Sequence, residues 1–206
     1  MQNTIISTNR ITTKPLCPVC KGVCGVEVAP GDWFDCDRCD ATGRIEPGRV
    51  IYTDRASLSK WDTRFLEMAE HVAAWSKGPR KRIGAVIVRP DKSIASLGYN
   101  GPPRGFDDEA FLRMTRDEQH SVVIHAEDNA LRQTHDAESV AGFTLYVSPL
   151  FPCARCADKI AKAGIARVVA YCGHVSLDWR ASAEEAERIF IEHGVECLFM
   201  FEGGLK

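Results

Sequence analysis

Apolar residues first recur at helical spacing in the stretch that begins at Trp61. Trp61, Phe65, Met68, Val72 and Trp75 stand four and three residues apart and mark one face of an amphipathic helix. Two apolar runs follow, at 83–88 and 94–99, and the Arg-Pro-Asp-Lys-Ser between them predicts a hairpin. Residues 101–120 are charged and predict a long, loop-rich connection. A second helix is expected from His125 to Arg132. Beyond it, strands at 143–147, 167–171 and 197–201 alternate with helices that start at Pro152 and at Ala181; Gly194 stops the second. Such alternation implies βαβ crossovers and a partly parallel sheet. The chain before residue 48 has no helical period and is rich in glycine and turn formers. The change of pattern between Gly48 and Leu58 divides the chain into an extension, 1–54, and a main domain, 55–206.

Composition narrows the picture. A chain of 206 residues allows one domain of roughly 150 residues and a small appendage. With 45% hydrophobic and 26% charged residues it has the make-up of a folded globular protein. No apolar run approaches the roughly 18 residues of a membrane span, and the opening ten residues lack the apolar core of a secretory signal. A cytoplasmic protein is therefore expected. The net charge of −2 argues against avid binding to polynucleotides, where phosphate neutralisation dominates affinity. In a reducing compartment the nine cysteines call for metal, catalysis or burial rather than disulfides.

Two segments carry most of the chemistry: His125-Ala126-Glu127 and Pro152-Cys153-Ala154-Arg155-Cys156. Pro152 suits the first turn of a helix, and Cys153, Cys156, Ala157, Ile160 and Ala161 fall on one face of it. Both sulfurs then lie where the helix N-terminus favours thiolates. Two thiolates and the His125 imidazole make a three-ligand zinc site with an open fourth position, the catalytic arrangement. Glu127 follows His125 by two residues and should face the same pocket as a proton shuttle. Taken alone, Cys-x-x-Cys would equally suit packing or a redox pair.

H-x-E followed by P-C-x-x-C is similar to the pattern of zinc nucleobase deaminases. From about Trp61 onward the chain resembles the deoxycytidylate (dCMP) deaminases of the cytidine deaminase-like superfamily. The resemblance rests on WSKGPRKRIGAVIV, LGYNGPPRGFDD, HAEDNAL, FTLYV and FPCARCADKIAKAGI, in order over roughly 140 residues. It implies a three-layer α/β/α fold with a mixed five-stranded sheet. It implies zinc on His125, Cys153 and Cys156, Glu127 as shuttle, the Ala126 backbone on the pyrimidine carbonyl and Asn100 on a sugar hydroxyl. By position in the motif Arg80 would hold the phosphate, with Lys77 and Arg82 in reserve. It also implies a homo-oligomer and feedback by dCTP and dTTP, with Mg2+ accompanying a triphosphate effector. The expected reaction is hydrolysis of dCMP to dUMP and ammonia. A 5-substituted dCMP or another cytosine nucleotide or nucleoside is the first alternative. A nucleic-acid base deaminase and a non-catalytic zinc-binding regulator are further ones.

In the extension, Cys17-Pro-Val-Cys20 and Cys36-Asp-Arg-Cys39 are separated by fifteen residues, the spacing of a closed structural zinc held by four cysteines. Each pair with its following glycine resembles a zinc-ribbon knuckle and the cysteine-rich module of DnaJ chaperones. Cys24 is the spare. Six Lys/Arg balance six Asp/Glu over residues 1–50, which disfavours a nucleic-acid role for this module.

Overall fold

The computed structural model describes residues 25–29, 32–35, 48–78, 81–134, 139–171 and 177–200. Near the start, β1 (Gly25–Ala29) and β2 (Asp32–Asp35) pair antiparallel as a small hairpin. The expected cysteine ligands Cys17, Cys20, Cys36 and Cys39, the spare Cys24 and the expected phosphate ligand Arg80 lie outside the described residues.

The main body opens with β3 (Val50–Thr53) and a 3-10 turn at Arg55–Ser57, followed by α1 (Lys60–Ala73). Ser59 caps α1 by accepting the Asp62 N–H. The hairpin β4 (Gly84–Val88) and β5 (Ile94–Tyr99) comes next, then two short helices, α2 (Asp108–Arg113) and α3 (Arg116–Val122). The rest alternates: α4 (Ala126–Thr134), β6 (Thr144–Ser148), α5 (Ala154–Lys162), β7 (Arg167–Tyr171), α6 (Leu177–Glu192) and β8 (Glu196–Met200).

The main sheet has the order β3-β8-β7-β6-β4-β5, with β3, β8, β7 and β6 parallel and β4 antiparallel to both its neighbours. Side chains of successive strand residues alternate between two cores. Val86, Val88, Tyr146, Val169 and Met200 pack with Phe65, Leu66 and Ala69 of α1. Ala85, Ile87, Leu145, Val147, Val168, Ala170 and Phe199 face the opposite way, onto α4, α5 and α6. The result is the expected three-layer α/β/α arrangement. β4 is buried along its whole length, which explains its unbroken apolar run.

Two expectations need correction. Among the described residues the main sheet has six strands rather than five, because Val50–Thr53 adds parallel to β8, Val50 opposite Cys197 and Thr53 opposite Met200. Four residues are too short to show a period, and the partner lies at the far end of the chain. This strand also falls before the boundary expected at residue 54. The charged connection is not merely loop: Asp107 caps α2, and Thr115 and Glu118 form a capping box at α3. The Gln119 side chain then donates to the Phe111 carbonyl at 3.0 Å, tying the two helices together.

The edge strand β5 is covered by α4. Asn129 and Gln133 donate their side-chain amides to the carbonyls of Tyr99 and Leu97, both at 2.8 Å. Four helical residues rise about 6 Å and two strand residues about 6.6 Å, so the two rows match.

Candidate active site

The site is built from two helix beginnings brought side by side. The Asn129 N–H donates to the His125 carbonyl at 3.0 Å, and the Ala157 N–H to the Cys153 carbonyl at 2.8 Å. His125 and Cys153 thus occupy the capping positions of α4 and α5, where a short polar side chain usually satisfies the first turn. Cys153 makes no side-chain cap bond. A neighbour supplies one instead: Ser182 of α6 accepts the Ala154 N–H at 3.1 Å. The sulfur is left free for another task.

That task is visible in the distances. Cys153 Sγ lies 3.6 Å and Cys156 Sγ 3.3 Å from His125 Nδ1. All three donor atoms lie within 4.8 Å of one another, and among the described residues they form the one such His/Cys/Asp/Glu group. For a tetrahedral zinc, bond lengths of about 2.3 Å to sulfur and 2.0 Å to nitrogen place sulfur and nitrogen roughly 3.6 Å apart. The donor set therefore fits the metal in both chemistry and spacing. The protonation of the group is shared: the Cys156 thiol, hydrogen-bonded to Cys153, draws the latter well below its ordinary value, with His125 adding to the effect. The same bond, with burial, pushes Cys156 up. The contact with Cys153 raises His125.

Glu127 sits on the first turn of α4 and is only 4% exposed. Burial pushes its carboxyl up, against the lowering influence of His125. Ala126, the first residue of α4, is fully buried, and its N–H has no partner within the helix.

Asn100 is placed where β5 meets the site. Its Oδ1 accepts the Ile83 N–H at 2.8 Å, and its Nδ2 donates to the Lys81 carbonyl at 3.0 Å. The carboxamide thereby fixes the segment that directly follows Arg80. Next to it, Gly101 and Ile124 exchange two backbone bonds of 3.1 and 2.9 Å, closing the excursion through α2 and α3 at its base. Asn100 and His125 flank that bridge, so the closure sets them near each other. Lys77 is engaged elsewhere, in an exposed ion pair with Asp108 of α2.

Sequence reasoning missed Ser182, the Gly101–Ile124 bridge and an ion pair between α4 and α5. The bare Cys153 cap was a usable signal that some other group must serve Ala154. The remaining contacts left no local trace.

A mixed sheet between helical layers, with His-Cys-Cys donors and a buried glutamate at two adjoining helix starts, defines the deaminase class of hydrolases. The chain belongs to the cytidine and deoxycytidylate deaminase family: the family model "Cytidine and deoxycytidylate deaminase zinc-binding region" matches residues 59–172. An uncharacterized deaminase from the luxG 3′ region of Aliivibrio fischeri is 35% identical over 147 residues, covering 69% of this chain and 95% of that protein. The deoxycytidylate deaminase of Mus musculus is 38% identical over 120 residues, 56% of this chain and 66% of the mouse protein. The crystal structure of the cyanophage S-TIM5 dCMP deaminase in complex with dCMP and dUMP superposes with a TM-score of 0.55 at 26% identity. It covers 69% of this chain and 98% of the phage chain.

Proposed function

We propose that the protein is a zinc-dependent deaminase that hydrolyses dCMP to dUMP and ammonia. The observation that carries this reading is Glu127, buried beside three donor atoms already spaced for zinc. The mouse relative and the phage structure, both named for dCMP, support the choice of substrate. His125, Cys153 and Cys156 would hold the metal, which when bound lowers the pKa of water towards about 7.

The chain's own residues do the rest. Glu127 accepts a proton from the water that attacks C4 and delivers it to the ring nitrogen, then helps the departing amine leave as ammonia. The C4–N bond breaks and a C4–O bond replaces it. Burial, which pushes the Glu127 carboxyl up, favours its holding the proton between the two transfers. The Ala126 N–H is suited to the pyrimidine carbonyl. Asn100 retains one lone pair and one amide hydrogen for a sugar hydroxyl after holding Ile83 and Lys81. By its position in the family motif Arg80 is the choice for the phosphate, with Arg82 in reserve beside Lys77, which is paired with Asp108. A second zinc on Cys17, Cys20, Cys36 and Cys39 completes the reading, as a structural metal for the extension.

Ammonia release tests it over dCMP, CMP, 5-methyl-dCMP, deoxycytidine, dCTP and an oligonucleotide, beside Glu127→Gln. dCMP should turn over best, and the variant should lose about 10²- to 10⁴-fold in rate while keeping its zinc. Best turnover on deoxycytidine rejects the phosphate assignment. Wild-type rates in the variant reject the mechanism.

A further inference from the structure

The donors of the proposed zinc site come from two helices, so their spacing depends on how α4 lies against α5. Asp128 follows His125 by three residues and Lys159 follows Cys156 by three, which returns each to the face of its ligand. Lys159 Nζ meets Asp128 Oδ2 at 2.7 Å. The seam between the helices is therefore crossed twice. His125 meets the two cysteines at the helix starts, and the ion pair repeats the crossing one turn deeper.

The carboxylate is fixed from both sides. Arg132, one turn along α4, reaches it with Nε at 3.1 Å and Nη2 at 3.2 Å. The Asp128 side chain is 15% exposed. Burial works to raise its carboxyl, but the hydrogen bonds from Arg132 and Lys159 outweigh burial and hold it ionised. Arg132 belongs to the same helix and orients the carboxylate; Lys159 belongs to the other and sets the gap. Lys162 and Asp158 form a similar pair, but it stays within α5 and crosses nothing.

We infer that Asp128 and Lys159 are positioning residues that set the distance between the ligand-bearing ends of α4 and α5, and through it the affinity and geometry of the three-donor metal site. This inference rests on the zinc reading above. An ion pair open to solvent on its Lys159 side adds little to folding, so the loss should show at the metal rather than in the melting temperature of the metal-free chain.

The test uses the full chain, stripped of metal. Zinc affinity is read by competition with a chromophoric chelator and site geometry from the absorption of the Co2+ form. Each is taken as the difference from the same protein carrying His125→Ala, which removes any signal from the amino-terminal cysteines. Asp128→Asn and Lys159→Met should each weaken zinc binding about tenfold and shift the cobalt bands. Lys159→Arg should restore both, and Lys162→Met should change neither. Wild-type affinity and spectrum in Asp128→Asn and Lys159→Met would overturn the inference. So would an equal loss in Lys162→Met, which would make the effect one of general charge. Should Asp128→Asn fail to fold, Lys159→Met carries the decision, because that side chain is 40% exposed. If His125→Ala costs no zinc, the metal reading itself falls, a result separable from failure of the clamp alone.

Discussion

Asp62 sits in the first turn of α1, on the face of the sheet turned away from the metal donors. Ser59 donates to it at 2.7 Å, the Tyr146 hydroxyl at 2.9 Å, and Arg167 through two N–H groups at 2.6 and 3.2 Å. Burial would raise its carboxyl, but these bonds, led by Arg167, hold it below the ordinary value. The folded chain therefore binds this proton less readily than the unfolded chain. The stabilisation is complete above the ordinary carboxylate range near pH 4 and is lost as pH falls through the lower folded value. Asp62→Asn should cost about 3 kcal/mol at pH 7, as for a broken buried pair, and should flatten the acid limb of stability. Urea unfolding between pH 7 and 3 measures both. At this scale the proposed site was legible from spacing, H-x-E at His125–Glu127 and P-C-x-x-C at Pro152–Cys156, each at the start of a helix. Ser182 and Lys159 were not: each meets a partner supplied by another helix, a contact that exists only once the helices have packed.

Between elements, closeness is set by glycine. A Cβ on Gly98 of β5 would stand 2.3 Å from the Ala126 carbonyl oxygen and 2.5 Å from the Ala130 nitrogen. Both are backbone atoms of α4, which have little room to move. Gly98→Ala should thus push away the helix start that carries His125, Ala126 and Glu127. A loss of about 2 kcal/mol is expected, together with weakened zinc retention. Thermal melting and metal analysis of the purified variant check the two effects. Long elements such as α1 announced themselves through a full apolar face. The six-residue α2 and seven-residue α3 could not, being too short to repeat a stripe. Their caps, Asp107 and the Thr115–Glu118 pair, were the readable sign.

For the molecule as a whole, the body begins earlier than the sequence pattern suggested. The Gly48 N–H donates to the Ile191 carbonyl at 2.8 Å, and the Cys197 N–H to the Arg49 carbonyl at 2.7 Å. Arg49 also pairs with Glu196, and Val50 is buried. A chain cut to 48–206 should stay monodisperse and retain the zinc of the three-donor site. One cut to 55–206 loses β3, bares the edge of β8 and should aggregate. Size-exclusion chromatography with metal analysis separates the outcomes. The other five strands of the main sheet were legible from their own apolar runs, whereas β3 takes its meaning from a partner at the opposite end of the chain. The bridge between Gly101 and Ile124 carries a different consequence. The chain leaves the frame and rejoins it at one hydrogen-bonded point, so flexible residues added to the turns between cost little, about 0.6 kcal/mol for each doubling of a flexible loop. The exposed turns of that segment can be lengthened or recharged while the bridge keeps the ends that carry Asn100 and His125 in place.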